Sequence, residues 1–429
     1  QAGATSPTAC PAGTDQALPG QSACNNVLVQ CDGPRSGAIR LQSNQVIELP
    51  VRGICLTAPD GTELIVPDTA TAASLNVTAV SPGSAGFLTV WPCGSVDRPL
   101  SSNLNYATGG VVPNGVIASI GNNGSVCVFA FGDTDLVVDV AGWFEGNAFD
   151  AATPQRLIDT RDGTGGRSGK VTDSIPLQVQ VSEIAVSTAD GTPAVIPAGV
   201  SAVALNVTVA NPDARGFLTV YPCDVPRPLA SNLNFVPGLV VANGVVAPTS
   251  TNGEVCVYAS APTDIIVDLA GWFPGDAFTA STPIRKVDSR DGTGSPLAKL
   301  NPASFLSVPM HGTVLTVNGN DGQVPLDATA VALNVTIVNP VAAGFATVWP
   351  CSAERPVASN LNFVAGQIVA NNVTAPIGDQ GNVCFYSNVA TDIVVDLSGY
   401  YSGSMQNEFK GATPRRYIDT RSNLGPAPQ

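Results

Sequence analysis

The sequence predicts an all-β protein made of three tandem, disulfide-stapled units, each a β-sandwich or β-barrel. Three observations carry that expectation. A long block of sequence occurs three times, its segments alternate apolar and polar residues, and six cysteines fall in pairs at one place in each repeat.

The repeat comes first, because a fixed period decides the architecture. SLNVTAVSPGSAGFLTVWPC (74–93) returns as ALNVTVANPDARGFLTVYPC (204–223) and ALNVTIVNPVAAGFATVWPC (332–351). RPLSSNLNY (98–106), RPLASNLNF (227–235) and RPVASNLNF (355–363) follow. TDLVVDVAGWF (134–144), TDIIVDLAGWF (263–273) and TDIVVDLSGYY (391–401) come next, and RLIDTR (156–161), RKVDSR (285–290) and RYIDTR (416–421) close the pattern. The equivalent Asn76, Asn206 and Asn334 are 130 and then 128 residues apart. The expected divisions are a Cys-rich extension (1–35), three β units (36–150, 151–278 and 279–411) and a DTR tail (412–429).

Each block reads as strand. Leu205, Val207 and Val209 point to one face with Asn206 and Thr208 on the other, and Ile265, Val267 and Leu269 share a face opposite Asp268. Asn114-Gly115, Asn243-Gly244, Asn123-Gly124 and Asn252-Gly253 read as tight turns, since Asn-Gly supplies the positive φ angles of a hairpin. The 35 prolines and 43 glycines leave no long helical window, and short strands at this spacing indicate a sandwich or barrel.

The cysteine pairs are Cys93 with Cys127, Cys223 with Cys256, and Cys351 with Cys384, separated by 34, 33 and 33 residues. Cys10, Cys24, Cys31 and Cys55 crowd the N-terminal region, with Cys10–Cys24 and Cys31–Cys55 the favoured pairing among three connectivities. With one histidine and no CxxC, structural disulfides are expected rather than metal, and hence an oxidising, extracellular setting. The chain starts at Gln1, as a mature secreted protein does after its signal peptide is removed.

Charged residues make up 12% of the chain and the net charge is −14, so no basic stripe exists for nucleic acid. Four lysines (Lys170, Lys286, Lys299 and Lys410) form no polybasic membrane patch, and no apolar run is long enough to span a bilayer.

These motifs resemble a repeat module of secreted and cell-surface proteins of actinobacteria and related bacteria. The resemblance spans about residues 36–421 three times over, and it implies export and a surface or extracellular setting. It implies no activity.

No catalytic, cofactor or metal residue is expected. His311 stands alone in PMHGTV and reads as a surface-loop residue. Asp139, Asp268 and Asp396 recur within apolar strands, which suits structural ion pairs better than a glycosidase pair. The DTR segments supply Asp159, Arg161, Asp288, Arg290, Asp419 and Arg421. Each arginine is expected to pair with the VDxAG aspartate or with the aspartate two positions before it. Asp-Gly-Thr-Gly after Arg161 and Arg290 reads as a turn, and Asn318–Gly322 lacks the late glutamate of a calcium loop. Of five Asn-x-Ser/Thr sequons, those at Asn76, Asn206 and Asn334 sit inside strands and read as structural; Asn123, in a turn, is the plausible glycan acceptor. Trp91, Trp143, Trp272 and Trp349, with Tyr221 and Tyr400, read as core rather than as sugar platforms.

The sequence therefore points to an extracellular structural protein, a filament, sheath or surface-layer subunit, and not to an enzyme. The alternative is an adhesin or a carbohydrate- or cell-wall-binding array acting by avidity. The expected partner is the chain itself, joined head to tail. The tail strand Arg416, Tyr417, Ile418, Asp419, Thr420 and Arg421 has no unit after it, while the first unit has no DTR strand before it; the alternatives are a tail folded back on the third unit, or a loose tail with residues 25–31 filling the first unit's slot.

Overall fold

The computed structural model describes residues 37–275, 277–317, 319–403 and 408–428. They belong to one compact unit, Pro34–Gln429. Cys10, Cys24 and Cys31 lie outside the described residues, so both expected N-terminal pairings do too; Cys55 is disulfide-bonded.

The protein is all-β. The first repeat supplies β1 (Gln45–Pro50), β2 (Cys55–Thr57), β3 (Glu63–Ile65), β4 (Ala70–Val80) and β5 (Gly86–Pro92). It continues with β6 (Leu104–Tyr106), β7 (Val111–Ser119), β8 (Ser125–Ala130) and β9 (Asp135–Glu145). The second runs through β10 (Asp150–Asp159), β11 (Leu177–Gln180), β12 (Ala185–Ser187), β13 (Pro193–Val195) and β14 (Ala202–Ala210). Then come β15 (Gly216–Pro222), β16 (Leu233–Phe235), β17 (Val241–Pro248), β18 (Glu254–Ala259) and β19 (Asp264–Phe273). The third has β20 (Phe278–Asp288), β21 (Phe305–Pro309), β22 (Val314–Val317), β23 (Asn320–Gln323) and β24 (Ala328–Val338). It ends with β25 (Gly344–Pro350), β26 (Leu361–Phe363), β27 (Ile368–Pro376), β28 (Asn382–Ser387), β29 (Asp392–Ser402) and β30 (Phe409–Asp419).

Two antiparallel four-stranded sheets form per repeat. The disulfide sheets run β1-β8-β5-β6, β11-β18-β15-β16 and β21-β28-β25-β26. The LNVT sheets run β30-β9-β4-β7, β10-β19-β14-β17 and β20-β29-β24-β27. Within a repeat the two sheets share an apolar core. In the second, Leu205, Val207 and Val209 meet Ile265, Val267, Leu269, Val220 and Val257, as the period-2 alternation expects.

The three repeats do not stand in a row as separate units. Strands β7, β6, β17, β16, β27 and β26 each touch the next, and β26 touches β7 again, so six sheets form a closed, propeller-like ring. The cause lies in the other face of each LNVT strand. Its buried asparagines Asn76, Asn206 and Asn334 cannot join an apolar core and find carbonyl partners on the neighbouring repeat.

β30 closes the ring. It pairs with β9, Phe409 opposite Phe144 and Arg416 opposite Asp139, just as β10 pairs with β19 and β20 with β29. In this chain the strand Arg416–Arg421, expected to be donated to another copy, is paired in cis with the first repeat. The orphan strand and the empty slot are both real, and they meet within one chain. The ring curvature returns the tail to the start of the first repeat, where Gly37 N–H donates to the Asn423 carbonyl (3.1 Å) and Ala38 N–H to that of Gly425 (2.9 Å). A strand tethered this close sees an effective concentration that a separate copy does not match.

Gly142, Gly271 and Gly399 bulge the strands β9, β19 and β29, with φ of 149°, 155° and 153°. A Cβ there would stand 2.3–2.4 Å from the carbonyls of Lys410, Asp150 and Thr279. The extra residue changes which parity faces inward. Leu136, Val138 and Val140 enter the first core, then Trp143 does, and Phe144 turns to the ring axis. Phe144, Phe149, Phe273, Phe278, Tyr401 and Phe409 form a cyclic plug there, with successive ring centroids 4.7–5.3 Å apart. β30 contributes the sixth ring.

Candidate functional site: the junctions between repeats

The polar residues that recur in all three repeats gather at the junctions. Asn114 Nδ2 donates to Asn206 Oδ1 (2.9 Å), Asn243 to Asn334 (3.0 Å) and Asn371 to Asn76 (2.9 Å), a cycle running through the whole ring. The same Oδ1 atoms of Asn114, Asn243 and Asn371 accept from the backbones of Gly244, Asn372 and Gly115. Asn206, Asn334 and Asn76 in turn donate to the carbonyls of Ser102, Ser231 and Ser359 in the SNLN loops. Asn114-Gly115 and Asn243-Gly244 are thus not turns but the middles of β7 and β17. Glycine is needed there for close approach, since a Cβ on Gly115 would lie 2.1 Å from the Asn372 carbonyl and one on Gly244 equally near that of Gly115. Asn123-Gly124 and Asn252-Gly253 do form the turns before the cysteine strands.

The aspartates and arginines are brought together in one pattern. Arg161, Arg290 and Arg421 each bind the aspartate two positions earlier, Asp159, Asp288 and Asp419, at 2.6 Å. The strand aspartates take a different arginine: Asp268 holds Arg156 (2.9 Å), Asp396 holds Arg285 (2.6 Å) and Asp139 holds Arg416 (3.0 Å). Each of these also reaches the DTR aspartate, making a chain of alternating charges. Of the first arginines in RLIDTR, RKVDSR and RYIDTR, Arg156 and Arg285 were missed, although their threefold recurrence was the available signal. Burial pushes the Asp139 and Asp396 carboxyls up to about 6 against the opposing pull of Arg416 and Arg285, and raises Asp268 likewise against Arg156. Arg161 and Arg290 hold Asp159 and Asp288 below the usual range. For Asp419, burial pushes upward but Arg421 and Arg416 outweigh it.

The remaining hydroxyl of the motif is used too. Thr160 Oγ1 accepts from Ile265 N–H and donates to Asp264; Ser289 does the same with Ile393 and Asp392, and Thr420 with Leu136 and Asp135. The aspartate and the hydroxyl of the motif are thereby engaged within the fold, and its arginine is tied to that aspartate through Nε and Nη2.

Disulfides join Cys93 to Cys127, Cys223 to Cys256 and Cys351 to Cys384, with Cα atoms 5.1, 4.9 and 5.0 Å apart. They suit an oxidising environment. Trp91, Trp143, Trp272, Trp349 and Tyr221 are buried and Tyr400 half-buried. His311 is half-buried, its Nε2 3.0 Å from the Ala328 carbonyl. Asn320–Gln323 pairs as β23 with β22, while Asn318 lies outside the described residues. Sequon residues Asn76, Asn206, Asn334 and Asn372 are buried and Asn123 is exposed. No helix among the described residues is long and apolar enough to cross a membrane.

One repeated set stays on the surface. Arg98 lies 3.8 Å over the Phe129 ring, Arg227 4.0 Å over Tyr258 and Arg355 4.0 Å over Tyr386. Phe87, Phe217 and Phe345 pack against those same rings. Two residues on, Leu100, Leu229 and Val357 are 93%, 83% and 88% exposed. At the third–first junction these groups border a cleft of about 420 Å³, between the third disulfide sheet and the first LNVT sheet.

No protein-family model and no curated relative matches the chain. Among solved structures, the tandem CBM22-1–CBM22-2 domains of Paenibacillus barcinonensis Xyn10C overlap 60% of this chain and 99% of theirs, at 11% identity and a TM-score of 0.18. A triple jelly-roll protein of an archaeal virus turret overlaps 85% of this chain and 92% of its own, at 10% identity and a TM-score of 0.17. A Sulfolobus Turreted Icosahedral Virus chain covers 86% of this chain and 92% of its own, at 9% identity and a TM-score of 0.17. Scores this low carry no argument about function.

Proposed function

We propose that the protein is a secreted, non-enzymatic recognition module of the cell surface, an adhesin or glycan- and cell-wall-binding ring that presents one exposed arginine set at each of three repeat junctions. One observation carries this reading. The recurrent asparagines, aspartates, DTR arginines and hydroxyls are consumed in holding the repeats together, whereas the RPL arginine and its aliphatic neighbour recur in every repeat and face solvent. An exposed cation on an aromatic ring beside an exposed apolar side chain, repeated three times, serves recognition better than folding. Three weak sites on one rigid body would add by avidity. The pairing of β30 with β9 in this chain favours the recognition reading over head-to-tail assembly through that strand.

The test is binding of the intact protein to a glycan array and to isolated cell walls, alongside a triple variant Arg98→Ala, Arg227→Ala and Arg355→Ala. Retention of the native protein with loss in the variant supports the reading. No retention of the native protein on any surface would sink it.

A further inference from the structure

We infer that the junction clefts take a carboxylate-bearing saccharide, a uronic-acid-containing glycan. This rests on the recognition reading above and names the ligand class.

The third–first cleft, at about 420 Å³, has room for one or two sugar rings. Arg355, Arg416 and Arg421 line it and no carboxylate does. Two of these guanidiniums are ion-paired, Arg416 with Asp139 and Arg421 with Asp419, so the uncompensated positive charge at the cleft is that of Arg355. Arg355 stacks on Tyr386 and has no carboxylate partner among the described residues. Arg355, with no ion pair to satisfy it, beside the outer edge of Arg421, whose Nε and Nη2 already bind Asp419, is suited to a carboxylate.

The other walls ask for hydroxyls. Phe345 and Val357 offer apolar surface, and Asn362 and Thr78 offer polar atoms. At the equivalent positions of the other two junctions, Asn105 Nδ2, Asn234 Nδ2, Thr208 Oγ1 and Thr336 Oγ1 are buried with no hydrogen-bond partner. Thr208 and Thr336 are 1% and 5% exposed. In the third–first cleft the equivalent groups are bonded, Asn362 Nδ2 donating to Ser359 Oγ and Thr78 Oγ1 accepting from Asn76, so the polar lining varies between junctions while the exposed arginine recurs.

The experiment is calorimetric titration of the intact protein with a uronic-acid trisaccharide and with its carboxyl-reduced, neutral counterpart. Arg355→Gln serves as the variant, because this exposed side chain holds no ion pair that folding needs. The expected result is binding of the acidic sugar at three sites per chain, with the neutral sugar weaker by about tenfold or more. Arg355→Gln should weaken one site of three, and adding Arg98→Gln and Arg227→Gln should abolish binding with the thermal midpoint unchanged. Equal affinity for the two sugars overturns carboxylate recognition and leaves glycan recognition standing. An acidic peptide that binds where the trisaccharide does not also overturns it. No binding of any glycan or cell wall overturns both.

Discussion

Arg416, in the last strand, lies 3.0 Å from Asp139, 277 residues earlier in the first repeat, and this ion pair occupies the place that Arg156–Asp268 and Arg285–Asp396 hold in the other two. The pair that joins the two ends of the fold is therefore equivalent to two pairs formed between nearer strands. Asp139 is nearly inaccessible and Arg416 is its ion-pair partner, so removing that cation leaves a buried carboxylate unpaired. Arg416→Met is expected to cost about 3–5 kcal/mol. Arg285→Met should cost a similar amount. Urea unfolding of both variants checks this, and an unchanged midpoint for Arg416→Met would mean the ring does not depend on its closing strand.

Acid and base act on two sets of aspartates with opposite sign. Asp139 and Asp396 titrate near 6 in the fold, above the ordinary value of about 4. Between those limits the native state binds more protons than the unfolded chain, so their contribution is full below about pH 4 and is lost as pH rises to about 6. Asp159, Asp288 and Asp419, held low, contribute above the ordinary range and lose that contribution on acidification. The measurement is carboxyl ¹³C titration of Asp139 and Asp396. Midpoints near 4 for both would contradict the burial argument.

Each repeat disulfide closes a loop of 33 or 34 residues. Loop-closure entropy puts its contribution at about 3–4 kcal/mol. Because each bridge lies within one disulfide sheet, Cys223→Ser with Cys256→Ser should lower stability without opening the ring. Scattering should give an unchanged radius for the folded variant, and a radius that grows before unfolding would count against that.

Two Asn-Gly pairs of identical sequence have different fates. Asn123 sits in an exposed turn and Asn243 at the ring axis, where it donates to Asn334 and Asn232 and accepts from Asn372. Asn243→Ala removes three buried hydrogen bonds at about 1 kcal/mol each, so a loss of about 3 kcal/mol is expected, against less than about 0.5 for Asn123→Ala. Equal losses in thermal melts would refute the axial network.

Much of this fold was legible because its causes are local. Alternation placed Leu205, Val207 and Val209 in a core, and equal spacing paired the cysteines. What was hidden is set by ring closure. Asn114-Gly115 has the chemistry of a turn, and only the approach of another repeat's backbone keeps it in a strand. Asp268 chose Arg156 over Arg161 because antiparallel register sets Arg156 directly opposite. The surface set of Arg98, Arg227 and Arg355 left no signal beyond its recurrence, since stacking on an aromatic depends on sheet neighbours distant in sequence.

The ring also predicts what rearranging the chain should do. β30 belongs to the first repeat in space and follows the third in sequence. In the second and third repeats the equivalent strand runs directly into the rest of its unit, as Asp159 leads to Val171 and Asp288 to Leu300. In the first repeat the same geometry holds between Gly425 and Ala38, whose backbones are hydrogen-bonded at 2.9 Å. A permuted chain that places 408–428 before 37–403, with Cys55→Ser, should therefore fold to the same ring. Ending the unpermuted chain at Gly403 should instead leave β9 as an open edge and remove Phe409 from the aromatic plug, a loss of about 3–5 kcal/mol from the ring alone. That open edge is an unpaired template, so the truncated chain should associate where the permuted one stays monomeric. Size-exclusion chromatography and circular dichroism of the two chains decide the matter. A truncated chain as stable and monomeric as the permuted one would show that the last strand is dispensable, and the closed ring would then need another explanation.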